Sequence, residues 1–421
     1  MKKKVIQAIK NNALPIRGID DLQPLLEEIN RVQYVLLGES SHGTSDYYKI
    51  RAELTKKLIV EKGFTFISVE GDWPACQEVN RYIKGYTSDY ADANEVLRSF
   101  NRWPTWMWAN EELIDLVEWL KIYNQALPLD EKVGFYGIDV YSLWESMEEI
   151  LGYLKRINSP DLEAAKKAFA CFEPFNREPQ MYGVSASLYS EGCRDEVIKL
   201  LRDIVLHKKK YVSEEESQLN LEVNAIVTAN AENYYRTMVV NDNESWNIRD
   251  RHMVEVIKKI SDFYDPAAKG IIWEHNTHVG DARATDMADE GLVNVGQLIR
   301  EHIGEEKVFI IGFGTHSGTV IAADAWGADF ERMVVPPAVD GSWEDLMFRA
   351  GPFDKLLIFN EENRKLFRGR IGHRAIGVVY EPRYEHFGNY VPSVMSQRYD
   401  AFIFVNSTNA LQPLEVERVF V

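Results

Sequence analysis

Short apolar runs separated by amphipathic stretches organise the first third of the chain. The runs fall at 34–37 (YVLL), 64–69 (FTFISV) and 133–138 (VGFYGI), and each has the length of a buried strand. Between the first two, residues 47–62 carry Ile50, Leu54, Leu58 and Ile59 at helical spacing. Pro74, just past the second run, suits the first turn of a helix. Strand and helix alternating in this way predict an α/β fold with a mainly parallel sheet.

The pattern changes after residue 141. From 142 to 264 β-branched runs are scarce, and Leu, Ile, Val, Tyr and Met recur every three or four residues on charged backgrounds, most persistently over 214–240 and 247–263. That shift predicts an α-helical insertion, or cap, at 142–264, set between the two parts of an α/β core at 1–141 and 265–421. Strands return at 270–273 (GIIW) and 308–312 (VFIIG), with a helical stretch at 295–303 between them. Runs at 356–359, 375–380 and 401–405 are expected to extend the sheet or to form a second, antiparallel one.

Charge narrows the range of partners. Among 421 residues, 48 Lys and Arg face 65 Asp and Glu, a net charge of −17. Such a balance argues against nucleic acid or an anionic membrane and leaves a small molecule as the expected partner. No run approaches the roughly 18 apolar residues of a membrane span, and the basic start lacks the uninterrupted apolar core of a signal peptide. Cys76, Cys171 and Cys193 form no CxxC pair and are odd in number, so no disulfide framework is expected and a cytoplasmic location fits.

Candidate chemistry gathers at the predicted strand ends. His42 follows the first run in GESSHGT, His275 and His278 follow GIIW in WEHNTHVGD, and His316 follows VFII in GFGTHSG. Glu70 and Asp139 end two further runs, while Glu39 and Glu274 precede His42 and His275. Strand ends converge on one edge of an open α/β sheet, so these residues are expected to ring one cleft. GESSHG is not the G-x-S-x-G nucleophile elbow, the glycine-rich turn at 312–318 lacks a Lys-Ser/Thr ending, and there is no HExxH helix.

Two chemistries remain open from the residues alone. In one, His42, paired with Glu39 or Glu70, acts as a general base on a water that attacks an ester or lactone. In the other, His275, His278, Glu39 and Glu70 hold a divalent metal that activates the water.

GESSHGT at 38–44 with Arg51 on the following helix, VEGDWP at 69–74, FNRWPTWMWANEE at 100–112, YGIDVYS at 136–142, NIRDRHM at 247–253 and WEHNTHVGD at 273–281 together resemble the erythromycin esterase family. The resemblance implies a three-layer α/β/α core with an inserted helical part over a deep cleft. It also implies metal-independent hydrolysis of a macrolactone, with no cofactor. His42 is then the general base, Glu39 and Glu70 are its carboxylate partners, Arg51 is a charged cleft residue, and His275 and His278 orient water or substrate. The resemblance also draws Arg249 into the cleft. A more distant likeness to haem-binding and metalloprotease-like folds keeps the metal alternative open, and a non-catalytic binder of haem or another bulky small molecule is a third reading.

Around this centre, Trp103 and Trp106 are candidates for the walls of a substrate site, as large aromatics suit a bulky apolar ligand. Asp139 and His316 complete the expected substrate-binding set.

Overall fold

In the computed structural model, residues 2–188, 192–207 and 216–417 are described. Eleven strands form among them: β1 Leu14–Pro15, β2 Tyr34–Leu37, β3 Phe66–Asp72, β4 Gly134–Asp139, β5 Gly270–Trp273, β6 Val308–Ala323, β7 Phe330–Val335, β8 Lys355–Ile358, β9 Arg370–Arg374, β10 Tyr390–Val394 and β11 Ala401–Thr408. The main sheet runs β1-β8-β11-β6-β2-β5-β3-β4, with β7 paired to β6. Its six strands from β11 to β4 are parallel, while β1, β8 and β7 pair antiparallel. β9 and β10 form a separate antiparallel pair.

Alternation along each strand divides the core into two faces. Tyr34 and Leu36 of β2 turn to the side that holds Phe66, Tyr136, Ile272 and Ile310, while Val35 and Leu37 turn to the side of Ile67, Phe135, Ile271 and Ile311. Both faces are covered, as a parallel sheet requires. Ser45–Lys62 and Glu111–Gln125 pack on one face. Lys2–Asn12, Asp242–Tyr264, Val295–Ile303 and Trp343–Ala350 pack on the other. This is the expected α/β/α arrangement around a mainly parallel sheet.

Helices Leu143–Arg156, Leu162–Phe169, Pro179–Leu188 and Arg194–His207 close around a hydrophobic cluster of their own. Ser217–Met238 joins that cluster to the sheet. Leu221, Ala225, Ala231 and Tyr235 face the helices, whereas Leu219, Val223 and Val227 face the core. Residues 214 and 215, where this helix was expected to begin, lie outside the described residues.

Three expectations are corrected. The glycine-rich stretch at 312–318 is no turn, because β6 continues through it to Ala323. Its glycines make room for aromatic neighbours: a Cβ on Gly312 would stand 2.7 Å from the Tyr399 ring, and one on Gly314 2.7 Å from Phe402. The run at 375–380 is not a strand. It crosses beyond the strand ends and pairs only at single positions, Ile376 with Ser41 and Val379 with Ala323. Finally, Cys171 and Cys193 form a disulfide within the helical layer, leaving Cys76 as a buried free thiol. Their pairing across 22 residues removes the cysteine argument for a reducing compartment. Among the described residues, no helix is long and apolar enough to cross a membrane.

Candidate active site

Sheet order explains why distant segments meet. β2, β5, β3 and β4 are consecutive parallel neighbours, so their carboxyl ends bring His42, the 275–278 turn, Glu70 and Asp139 side by side. These residues line a cleft of about 520 Å³. At the end of β3 the register with β4 shifts between Val69 and Asp72, and such an irregularity re-aims the side chains it carries.

The turn after β2 is fixed by its backbone. Gly43 accepts hydrogen bonds from the amides of Ile321 and Leu411, both at 3.0 Å. A Cβ there would lie 1.9 Å from the Ile321 carbonyl oxygen, so only glycine permits the approach. Ser40 pairs with the Tyr47 hydroxyl at 2.8 Å, and Ser41 pairs with Thr44. Both serines therefore hold the turn, and His42 is left to face the cleft.

His42 Nδ1 stands 2.9 Å from Glu39 Oε1, while Arg51 donates to Glu39 Oε2 at 2.6 Å. A carboxylate can only accept, so the Nδ1 proton is set by Glu39 and Nε2 carries the free lone pair of the neutral ring. Burial opposes charge on His42, but the Glu70 and Glu39 carboxylates outweigh it and lift the imidazole above its ordinary pKa.

Arg249 binds the next group together. It donates to both oxygens of Asp139 at 2.9 and 2.7 Å, to Glu70 Oε1 at 2.7 Å and to His278 Nε2 at 2.9 Å. His278 Nδ1 lies 3.0 Å from both oxygens of Asp250, and its ring stacks on Trp246 at 4.5 Å. Because Arg249 cannot accept, the His278 proton sits on Nδ1 and faces Asp250. Burial alone would raise Glu70, but Arg249, His42 when protonated and the amide of His275 at 2.8 Å hold its carboxyl far below the usual range. Asp139 is likewise lowered against its burial, by Arg249.

His275 completes the centre with its ring 4.9 Å from that of His42. Its Nδ1 accepts from the amide of Thr277 at 3.3 Å, which leaves the ring proton on Nε2. Nε2 is buried, and the ring also interacts with the Ser40 backbone. Burial, reinforced by His42, pushes the pKa of His275 well down, so the ring is neutral. The centre thus holds an accepting imidazole beside a buried, neutral one that donates through Nε2.

The sequence profile of the erythromycin esterase family matches residues 59–408. The chain belongs to the erythromycin esterase family. Erythromycin esterase type II of Escherichia coli is 32% identical over 126 residues, 30% of this chain and 28% of that protein, so the shared stretch spans under a third of either. YbfO of Bacillus subtilis (strain 168), provisionally named a hydrolase, is 19% identical over 408 residues, 91% of this chain and 86% of that protein. An erythromycin esterase variant solved in its open conformation shares the fold, with a TM-score of 0.69 at 15% identity over 96% of this chain and 99% of that one.

Within this erythromycin esterase fold, not every expected residue reaches the cleft. Arg51 is fully buried behind Glu39, its guanidinium 4.5 Å from the Tyr48 ring and 4.6 Å from that of Trp273. It supports Glu39 rather than facing ligand. Trp106 is 1% exposed in the core between sheet and helices. His316, carried along the extended β6, stacks on Phe348 at 3.8 Å and is absent from the cleft wall. Trp103 lines a second cavity beside the first. Glu274 is buried with neither carboxyl oxygen hydrogen-bonded, and burial beside Glu70 and Asp250 raises it well above its ordinary pKa.

Asp250 was not among the expected residues. The signal was its spacing: Trp246, Arg249 and Asp250 stand at i, i+3 and i+4 on Asp242–Tyr264 and so share one face. His275, His278, Glu39 and Glu70 do not fit a metal. Arg249 occupies His278 Nε2, Thr277 occupies His275 Nδ1, and His42 and Arg51 occupy Glu39. Among the described residues no group of three or more His, Cys, Asp or Glu is disposed to hold a metal ion.

Proposed function

We propose that the protein is a hydrolase that cleaves a carboxylic ester or lactone of a small molecule, using His42 to activate water. One observation carries this reading: His42 is oriented by Glu39 through Nδ1, and the His275 ring stands beside it at the cleft wall. His42 Nε2 takes a proton from water as the water oxygen bonds to the carbonyl carbon. The electron pair displaced onto the carbonyl oxygen is met by His275 Nε2–H. Collapse of the tetrahedral species breaks the C–O bond, and the proton on His42 passes to the leaving alkoxide. The products are a carboxylic acid and an alcohol, or one hydroxy acid from a lactone.

Glu39 and Arg51 act behind His42, and Arg249 fixes Glu70, Asp139 and His278 in relation to one another. The seated serines argue against an acyl-enzyme on Ser40 or Ser41. Incubation with a panel of macrolides, simple lactones and acyclic esters, read by mass spectrometry, tests the proposal. A product heavier by one water from a lactone, or an acid and alcohol pair from an ester, is expected. Tight binding with no product across the panel would support a binding protein instead.

A further inference from the structure

Asn276, next to His275, is fully buried behind the cleft wall. Its carboxamide spans the backbone of Phe313 on β6: Nδ2 donates to the Phe313 carbonyl at 2.7 Å, and Oδ1 accepts from the Phe313 amide at 3.2 Å. Its own amide donates to the Glu39 carbonyl at 2.8 Å, and its carbonyl accepts from Arg398 at 2.9 Å. One residue thus ties the 275–278 turn to the segment whose Glu39 side chain orients His42.

The two Phe313 contacts decide which way the carboxamide points, because a backbone amide only donates and a carbonyl only accepts. Nδ2 is therefore the atom that stands 3.2 Å from His373 Nε2 on β9, where it donates alongside the Tyr399 hydroxyl at 3.1 Å. With Nε2 accepting, the His373 proton lies on Nδ1 and is donated to Glu344 Oε1. Burial, with Arg398 and Arg374 beside it, outweighs the Glu344 carboxylate and pushes the His373 pKa down, so this ring is neutral. Glu344 is itself fully buried on Trp343–Ala350, where Oε1 also accepts from the Arg374 amide at 3.0 Å. A buried carboxylate is a costly way to fill space. Here it ends a chain whose hydrogen bonds can run in one direction only, and such a network specifies a single arrangement of the groups it joins.

We infer that Asn276 is a positioning residue for the hydrolytic centre: held by His373 and Glu344, it sets the 275–278 turn against the Glu39 segment and so fixes His275 relative to His42. Asn276, His373 and Glu344 are all absent from the cleft wall, so they act through the histidines and not on the substrate. His373 lies two residues before Ala375, which does line the cleft. The C-terminal hairpin therefore supplies a piece of the wall and the support of the turn facing it. The effect on rate rests on the hydrolase reading above, whereas the coupling of His373 to the site histidines does not.

The test reverses the polarity of one atom. Asn276→Asp keeps the shape of the side chain and sets an oxygen that only accepts against His373 Nε2 and the Phe313 carbonyl. On the first ester or lactone turned over, kcat is expected to fall about 10²-fold with little change in KM, the cost of misplacing a reacting group by about 1 Å. The deficit against wild type should shrink as pH is lowered from about 8 to about 6, because protonating the new buried carboxylate restores a donor. Asn276→Ala, which has nothing to protonate, should show the same deficit at every pH. An unchanged kcat in Asn276→Asp, or a deficit that ignores pH, overturns the inference. Nitrogen NMR of labelled imidazoles reads the same coupling without a substrate. Wild type is expected to hold His373 as the Nδ1–H tautomer, and the His42 and His275 signals should shift in Asn276→Asp. Should that variant fail to fold, His373→Phe, which removes the acceptor and keeps a ring, is read in the same way. His42 and His275 signals that stay in place, or His373 protonated on Nε2 in wild type, overturn the inference. Shifted signals with no ester turned over uphold the coupling while the hydrolase reading fails.

Discussion

Arg249 donates to Nε2 of His278 at 2.9 Å, and this one contact settles which nitrogen of the imidazole carries the proton. It also links the 275–278 turn of the sheet edge to a helix of the opposite layer. Asp250, the next residue, holds the other nitrogen.

Replacing Asp250 by Asn should therefore let His278 adopt the wrong tautomer. The expected result is a fall in kcat of about 10²-fold or more with little change in KM. Steady-state kinetics, alongside circular dichroism to show an intact fold, check this; unchanged kcat would remove the pair from the mechanism.

Arg249 neutralises two buried carboxylates at once. Arg249→Ala leaves Glu70 and Asp139 without their cation, so urea unfolding should show a loss of about 3–5 kcal/mol, as when one partner of a buried ion pair is deleted. A loss under 1 kcal/mol, of the order of an exposed pair, would show that the site is wetter than its burial implies.

The pH dependence follows from the signs of two shifts. His42 is raised, so its base form grows only as pH climbs past an elevated pKa, and kcat/KM should show an acid limb above the ordinary histidine value. Glu39→Gln withdraws one of the charges that raise it and so moves that limb to lower pH. Rate against pH for both proteins decides it, and an identical limb in the variant would contradict the pairing.

Glu70 shifts in the opposite direction. Its folded pKa is depressed below the unfolded value of about 4.5, so it contributes stability above that value and loses it as pH falls toward the folded one. Glu70→Gln should then destabilise most at neutral pH, with the gap to wild type narrowing below pH 4.5. Melting temperatures measured from pH 7 downward test this; a gap that stays constant would show that Glu70 is not held ionised.

Much of this centre was legible in the sequence because strand ends are legible. Apolar runs located β2, β3, β4 and β5, and parallel order then brought His42, Glu70, Asp139, His275 and His278 to one edge. His316 misled because glycines that make room for the Tyr399 and Phe402 rings look the same in sequence as glycines that turn a chain. Arg51 and Trp106 sit near the site in sequence but point into the core, a direction set by packing between layers. The Cys171–Cys193 pairing depends on how the helical layer folds back over 22 residues, which no local spacing encodes. The second cavity, lined by Trp103 and Trp326, joins segments more than two hundred residues apart, which no local pattern in the sequence encodes.

The most direct test of the central claim compares wild type with His42→Asn on the first ester or lactone found to be turned over. Loss of about 10³-fold in kcat, within the range of a general base, with an unchanged melting temperature, is the predicted result. Full activity in His42→Asn would contradict the account.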